Sequence, residues 1–177
     1  MVILRFMSLS SKNVYLFLVA FLVASCFFDE NSGGLSPSSD VILENDQIPG
    51  MVHVRASGKG TFLGTNEPTA KVDERPQTRV EFTYDYSISR HEVICADFNG
   101  VMKDVSGLQL ECAQDSLPVS NVTFFDAVLY ANALSRKMGL DSAYAYTAVE
   151  LDAGKHCMDL KDFAFMPAAG GFRLPTE

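Results

Sequence analysis

Basic residues are scarce in this chain: 14 Lys and Arg stand against 22 Asp and Glu, a formal net charge of −8. An acidic body repels phosphate backbones and anionic headgroups, which excludes nucleic acid and leaves proteins, peptides, sugars or cations as partners. No internal repeat is visible. No His, Cys, Asp or Glu pair has the fixed spacing of a zinc or EF-hand site, so neither metal class is predicted. No apolar run reaches the roughly 20 residues that a spanning helix needs. Tryptophan is missing altogether, and cysteine occurs only four times.

What is present begins with Arg5 and Lys12 ahead of a short apolar stretch from Val14 to Ser25. Basic residues, a short apolar core and small residues at the end form the pattern of a secretory signal peptide, expected over residues 1–25. Val23-Ala24-Ser25-Cys26 resembles a bacterial lipobox, which makes Cys26 the lipid attachment site and the mature N-terminus. Phe27 rather than Asp follows it, and by lipoprotein sorting rules this points to the outer membrane of a bacterial cell envelope, on its periplasmic or surface face. Residues 26–50 are rich in Asp, Asn, Ser, Gly and Pro and have too little apolar surface to offset ordering, so a flexible tether is expected. Val41-Ile42-Leu43 is an apolar exception that could dock on the domain.

Residues 51–177 have the size of one small domain. Met51 to Arg55 alternates and reads as a strand with Val52 and Val54 inward and His53 on the polar face. Gly58-Lys59-Gly60 marks a turn, Thr61-Phe62-Leu63 a short strand, and Gly64 to Pro76 a loop. Val80, Phe82, Tyr84, Tyr86 and Ile88 alternate with polar residues and predict one half-buried strand. A helix is expected from Glu92 to Met102, with Ile94, Phe98 and Val101 on one stripe and Cys95 close to it.

The strongest helix signal runs from Thr123 to Met138. Thr123 with Asp126 resembles a capping box, Arg136 and Lys137 suit the last turn, and Gly139 suits the left-handed residue that follows. Phe124, Ala127, Val128, Ala131, Leu134 and Met138 share a face, yet Phe125 and Leu129 fall elsewhere, so the helix should pack against two layers. Asn121-Val122-Thr123 matches a glycosylation acceptor by chance. Tyr144 to Val149 and Phe163 to Met166 read as strands, joined through a turn at Asp152-Ala153-Gly154. His156 and Cys157 with Asp152, Asp159 and Asp162 are explained more simply by a hairpin with a polar loop than by a metal site. With Cys26 set aside, Cys95, Cys112 and Cys157 allow one disulfide in any of three pairings.

Several segments together resemble the formylglycine-generating, or sulfatase-modifying factor, domain family. They are Met51-Val52-His53-Val54 with Gly60-Thr61-Phe62-Leu63-Gly64, Glu74-Arg75-Pro76, His91-Glu92-Val93, the run from Leu117 to Tyr130 with Leu134-Ser135 and Gly139, and the closing Gly171-Phe172-Arg173-Leu174-Pro175-Thr176-Glu177. Phe124 and Ala133 stand where the family pattern has tryptophan. The resemblance implies an α+β fold of the C-type-lectin-like kind, here as its N-terminal part. Active relatives oxidise a sulfatase cysteine with O2 through a copper-binding cysteine pair. By the family pattern that pair and the calcium sites lie past the Pro-Thr-Glu helix start, so no catalytic residue, metal ligand or cofactor is carried onto this chain. Arg173 is implied to be a buried ion-pairing or hydrogen-bonding residue. Two functions follow: a tethered scaffold or binding module for envelope proteins, peptides or carbohydrates, or a fragment of a copper-dependent oxidase.

Overall fold

The computed structural model describes residues 48–175 in full and the backbone of residues 4–6 and 42–45. Its central sheet is antiparallel throughout, in the order β11-β1-β6-β3-β2. The members are β1 (Leu4–Phe6), β2 (Ile42–Asn45), β3 (Met51–Arg55), β6 (Tyr86–Ser89) and β11 (Phe172–Arg173). β2 pairs with β3, placing Leu43 opposite Val54, so the apolar exception in the tether region does join the domain. Residues 4–6 fall within the segment read as a signal peptide; the rest of that segment and Cys26 lie outside the described residues.

Among the described residues there are also three two-stranded ribbons. β4 (Gly60–Leu63) pairs with β5 (Thr78–Glu81), β7 (Tyr144–Ala145) with β10 (Ala164–Phe165), and β8 (Ala148–Leu151) with β9 (Cys157–Lys161). With two helices, α1 (Cys95–Val105) and α2 (Phe124–Lys137), the architecture is α+β.

Several sequence expectations need correction. The single strand over Val80 to Ile88 is two strands, β5 and β6, because residues 82–85 leave the ladder to close a loop. There the Phe82 N–H donates to the Lys59 carbonyl and the Ser57 N–H donates to Asp85 Oδ1. Ser87, rather than Ile88, is the buried residue of β6, with Tyr86, Ile88 and Ser89 half-buried. On β3 the buried pair is Met51 and Val54, with Val52 and His53 half-buried. His53 Nε2 lies 3.9 Å from Asp85, and its Nδ1 is buried without a hydrogen-bond partner among the described residues.

Another correction concerns α1, which starts and ends three residues later than its apolar pattern suggested. Ile94 is extended, and its place before the helix has no side chain able to cap. The first orphan N–H groups are met instead by the chain around residue 117: Cys95 donates to the Leu117 carbonyl and Ala96 to that of Asp115. The buried stripe is Cys95, Phe98 and Met102. A Cys95–Cys112 disulfide ties the same helix end to the following loop. Closing a loop of 17 residues contributes about 3 kcal/mol in the chain-entropy view.

α2 follows its sequence signals closely, with Thr123 as cap, Met138 at the other end and Gly139 at φ +68°. It lies in the middle of the core, packed by α1, β9 and β11, so Val128, Leu129 and Ala131 are all buried although they face different ways. Phe124 and Met138 were expected inward and are instead exposed, because a helix with cover on several sides still leaves its ends open. Gly171 lets β11 approach: a Cβ there would run into the Asp141 carbonyl and the Ser135 hydroxyl. The Ser135 hydroxyl accepts from the Phe172 N–H at 2.8 Å while donating to the Ala131 carbonyl.

Candidate functional site

Helix α2 carries two polar places of opposite character. The first is at its N-terminus. Thr123 Oγ1 accepts from the Asp126 N–H at 2.9 Å, and Asp126 Oδ2 accepts from the Thr123 N–H at 3.0 Å, so the capping box closes on both sides. Asp126 is fully buried, and β9 satisfies what remains of it. Its Oδ1 accepts from the Cys157 N–H at 2.7 Å, and His156 Nδ1 stands 2.8 Å from its Oδ2. Thr123 then donates its hydroxyl to the Cys157 carbonyl at 2.7 Å. One carboxylate therefore holds a helix cap and the tip of a hairpin together.

This arrangement has a cysteine, a histidine and an aspartate side by side, but not in a nucleophilic order. The Cys157 thiol is buried and donates to the Asp159 carbonyl, 3.4 Å away. Burial pushes the thiol up from its ordinary value, with nearby Asp126 and Asp159 adding to the effect. A reactive cysteine needs the opposite, a positive and partly exposed setting.

The other acidic residues of the hairpin have protein partners too, but nearer the surface. Asp152 Oδ1 accepts from the His156 N–H, Asp159 pairs with Lys161 at 2.8 Å, and the Thr147 hydroxyl donates to Asp162 at 2.5 Å. Lys161 holds the Asp159 carboxyl below its ordinary value. Among the described residues no three His, Cys, Asp or Glu side chains gather as a metal site.

Arg173, implied by resemblance to be buried, is buried on β11. Its Nη1 donates to the Pro167 carbonyl at 3.3 Å, and its guanidinium lies 5.0 Å from the Phe165 ring centroid. Burial pulls it below its ordinary value. Phe165 belongs to an aromatic face: Tyr144 touches Phe163 and Phe165, while Phe124, Phe125 and Phe163 meet edge to face. Phe124 is 55% exposed, and Phe163, Phe165 and Met166 are exposed as well.

The second polar place lies between α1, α2 and the chain at residues 49–51, in a cleft of about 550 Å³. That is within the range of small-molecule sites. Val93, Val101, Leu134 and Phe172 give it apolar walls, and His91, Glu92, Asp97 and Lys137 also line it. Tyr130 is 4% exposed, stacks on Phe98 with centroids 5.3 Å apart, and also lines the cleft. Burial and neighbouring Asp97 push its hydroxyl up to about 12.

Sequence reasoning passed over this cleft. Tyr130 and Asp97 looked like ordinary helix residues. The available signal was Gly100, a glycine inside α1, where it costs about 1 kcal/mol relative to alanine. Of the other positions singled out, Cys26 lies outside the described residues. The three remaining cysteines resolve into the Cys95–Cys112 bridge and one buried thiol.

Comparison with known families places this geometry. The Sulfatase-modifying factor enzyme 1-like domain matches residues 39–177. The chain belongs to that family and so is related, at family level, to the formylglycine-generating enzymes. No curated protein and no solved structure gives a match.

Proposed function

We propose that this chain is an envelope lipoprotein whose sulfatase-modifying-factor-like domain serves, through these residues, as a scaffold or binding module and not as a catalyst. The observation that carries this reading is the disposition of the cysteines. O2 activation through Cu(I) needs soft thiolates held close together and reachable. Here Cys95 and Cys112 are bonded to each other, and Cys157 is a buried thiol on β9 whose surroundings disfavour the thiolate. The His156 beside it is taken up by Asp126.

The scaffold role draws support from the aromatic face. Phe124, Phe163, Phe165 and Met166 form an apolar surface of the kind that an interaction partner covers. Binding draws support from the α1–α2 cleft, which has walls and polar groups but no cysteine among its lining residues. Lipid on Cys26 would hold the domain at the membrane, with the segment after it as spacer; among the described residues no helix is long and apolar enough to span a bilayer.

Two experiments test the reading. The chain incubated with Cu(I), O2 and a cysteine-containing peptide should leave that cysteine unchanged by mass spectrometry, and its conversion to an aldehyde would overturn the non-catalytic assignment. In cells, Cys26→Ser should move the protein from the membrane to the soluble fraction. Membrane retention of that variant would remove the lipid anchor from the scheme.

A further inference from the structure

Gly100 faces the cleft from the middle of α1, and a Cβ built on it would meet nothing within 4 Å. A helix interior that keeps glycine where a side chain has room breaks a local rule without gain in packing, and such positions concentrate at functional sites. Opposite it, the hydroxyl of Tyr130 makes no hydrogen bond among the described residues, although the residue is almost wholly buried. The oxygen is not among the fully buried polar atoms left without a partner, so the little of Tyr130 that is exposed includes its hydroxyl, at the cleft. Asp97, exposed on the first turn of α1, has no ion-pair partner among the described residues either.

We propose that the cleft binds a primary alkylammonium group, its stem along Val93, Val101 and Leu134 and its charged end between the Asp97 carboxylate and the Tyr130 hydroxyl oxygen. This assignment rests on reading the domain as a binding module and names the chemistry that module recognises. An ammonium offers three donors, and Asp97 with Tyr130 offers acceptors that lack donors. The phenol keeps its proton at neutral pH, since burial and Asp97 hold it far above that range, so it presents a neutral oxygen beside a carboxylate. An anion is disfavoured by Asp97 and Glu92 and by the net charge of −8. A Ca²⁺ ion takes six to eight oxygens, mostly carboxylates and carbonyls, and among the described residues no three His, Cys, Asp or Glu side chains gather to hold it. Lys137, the basic residue on α2 that lines the cleft, lies two turns beyond Tyr130, about 10 Å along the helix axis. That leaves space for one cation at the Asp97 end.

The same group occurs on a free small amine and on a lysine side chain within a peptide. The test titrates the full chain with n-butylammonium, with Nα-acetyl-lysine methylamide and with n-butanol as the neutral isostere, following amide chemical shifts and binding heat. Both ammonium probes should perturb the residues lining the cleft, with butanol about tenfold weaker or more. Tighter binding of the lysine derivative identifies a peptide source, and tighter binding of butylammonium a free amine. Asp97→Asn should weaken binding about tenfold and Tyr130→Phe about fivefold. Gly100→Leu should abolish binding while far-UV circular dichroism and thermal stability are retained.

Equal affinity for butanol, an unaffected Asp97→Asn variant, or no shift at the cleft with either amine would overturn the proposal. Asp97 is exposed, so that variant tests binding even if Gly100→Leu disturbs the fold. Failure here with the copper assay still negative leaves the binding-module reading standing and removes only its ligand. A positive copper assay removes the reading itself.

Discussion

Asp126 and Tyr130 sit one turn apart on the same helix, both buried, and they differ in what their polar atoms do. Asp126 has a partner for each oxygen: the Thr123 N–H and His156 on one, the Cys157 N–H on the other. The Tyr130 hydroxyl has none among the described residues and opens on a cleft. A closed polar cluster stabilises a fold because its desolvation is offset in full, whereas a hydroxyl that opens on a cleft without a protein partner adds no such bond to the fold. The difference separates a cluster that resembles chemistry but performs architecture from a cleft that resembles core but is open to a ligand.

Removing the centre of the closed cluster should have the largest effect. Asp126→Ala strands two backbone donors and His156 in a buried place, and should cost about 3–5 kcal/mol by denaturant unfolding. If the loss is under 1 kcal/mol, the cluster is not the clamp described here.

The open place should show itself next, in alkaline solution. With its hydroxyl pushed up to about 12 when folded and an ordinary value near 10 when unfolded, Tyr130 favours the folded state less as pH rises. Its contribution is whole below pH 10 and is lost as pH climbs through about 12, on the order of 2–3 kcal/mol. Burial pushes Tyr144 and Cys157 in the same direction, so part of the alkaline loss is theirs. Tyr130→Phe should flatten the profile between pH 10 and 12, and an unchanged slope would show that the phenol is not desolvated as described.

Thr123→Ala should cost less, about 1–2 kcal/mol, since it removes one cap and the bond to the Cys157 carbonyl but leaves Asp126 in place. Smallest of all, Asp159→Ala removes an exposed, solvent-screened pair with Lys161 and should leave the denaturant midpoint at neutral pH almost where it is. A loss as large as that of Asp126→Ala would erase the distinction between committed and surface carboxylates.

The same contrast explains what could be read from the sequence. α2 was legible to its caps because Thr123, Asp126 and Gly139 are local signals whose partners lie within a turn. The hairpin at Asp152 was legible for the same reason, though its strands ran differently: β8 pairs with β9, and β7 with β10. The α1 boundaries were not, because its first N–H groups are capped by residues some twenty positions away. Nor was the break between β5 and β6, where an aromatic alternation continued through a loop. The family was legible from short motifs in order. The site was not: it depends on Tyr130, Asp97 and Gly100, which only the crossing of two helices brings to one cleft.

The account stands or falls on whether the thiol beside His156 and Asp126 is a structural group. Native full-length protein treated with iodoacetamide across pH 6 to 9, with peptide mapping to resolve Cys157, tests this most directly. Cys157 should stay unmodified until denaturant opens the fold, its rate tracking global unfolding at every pH. Rapid native-state alkylation already complete near pH 6 would mean an accessible thiolate, and would contradict the assignment of this cluster to architecture.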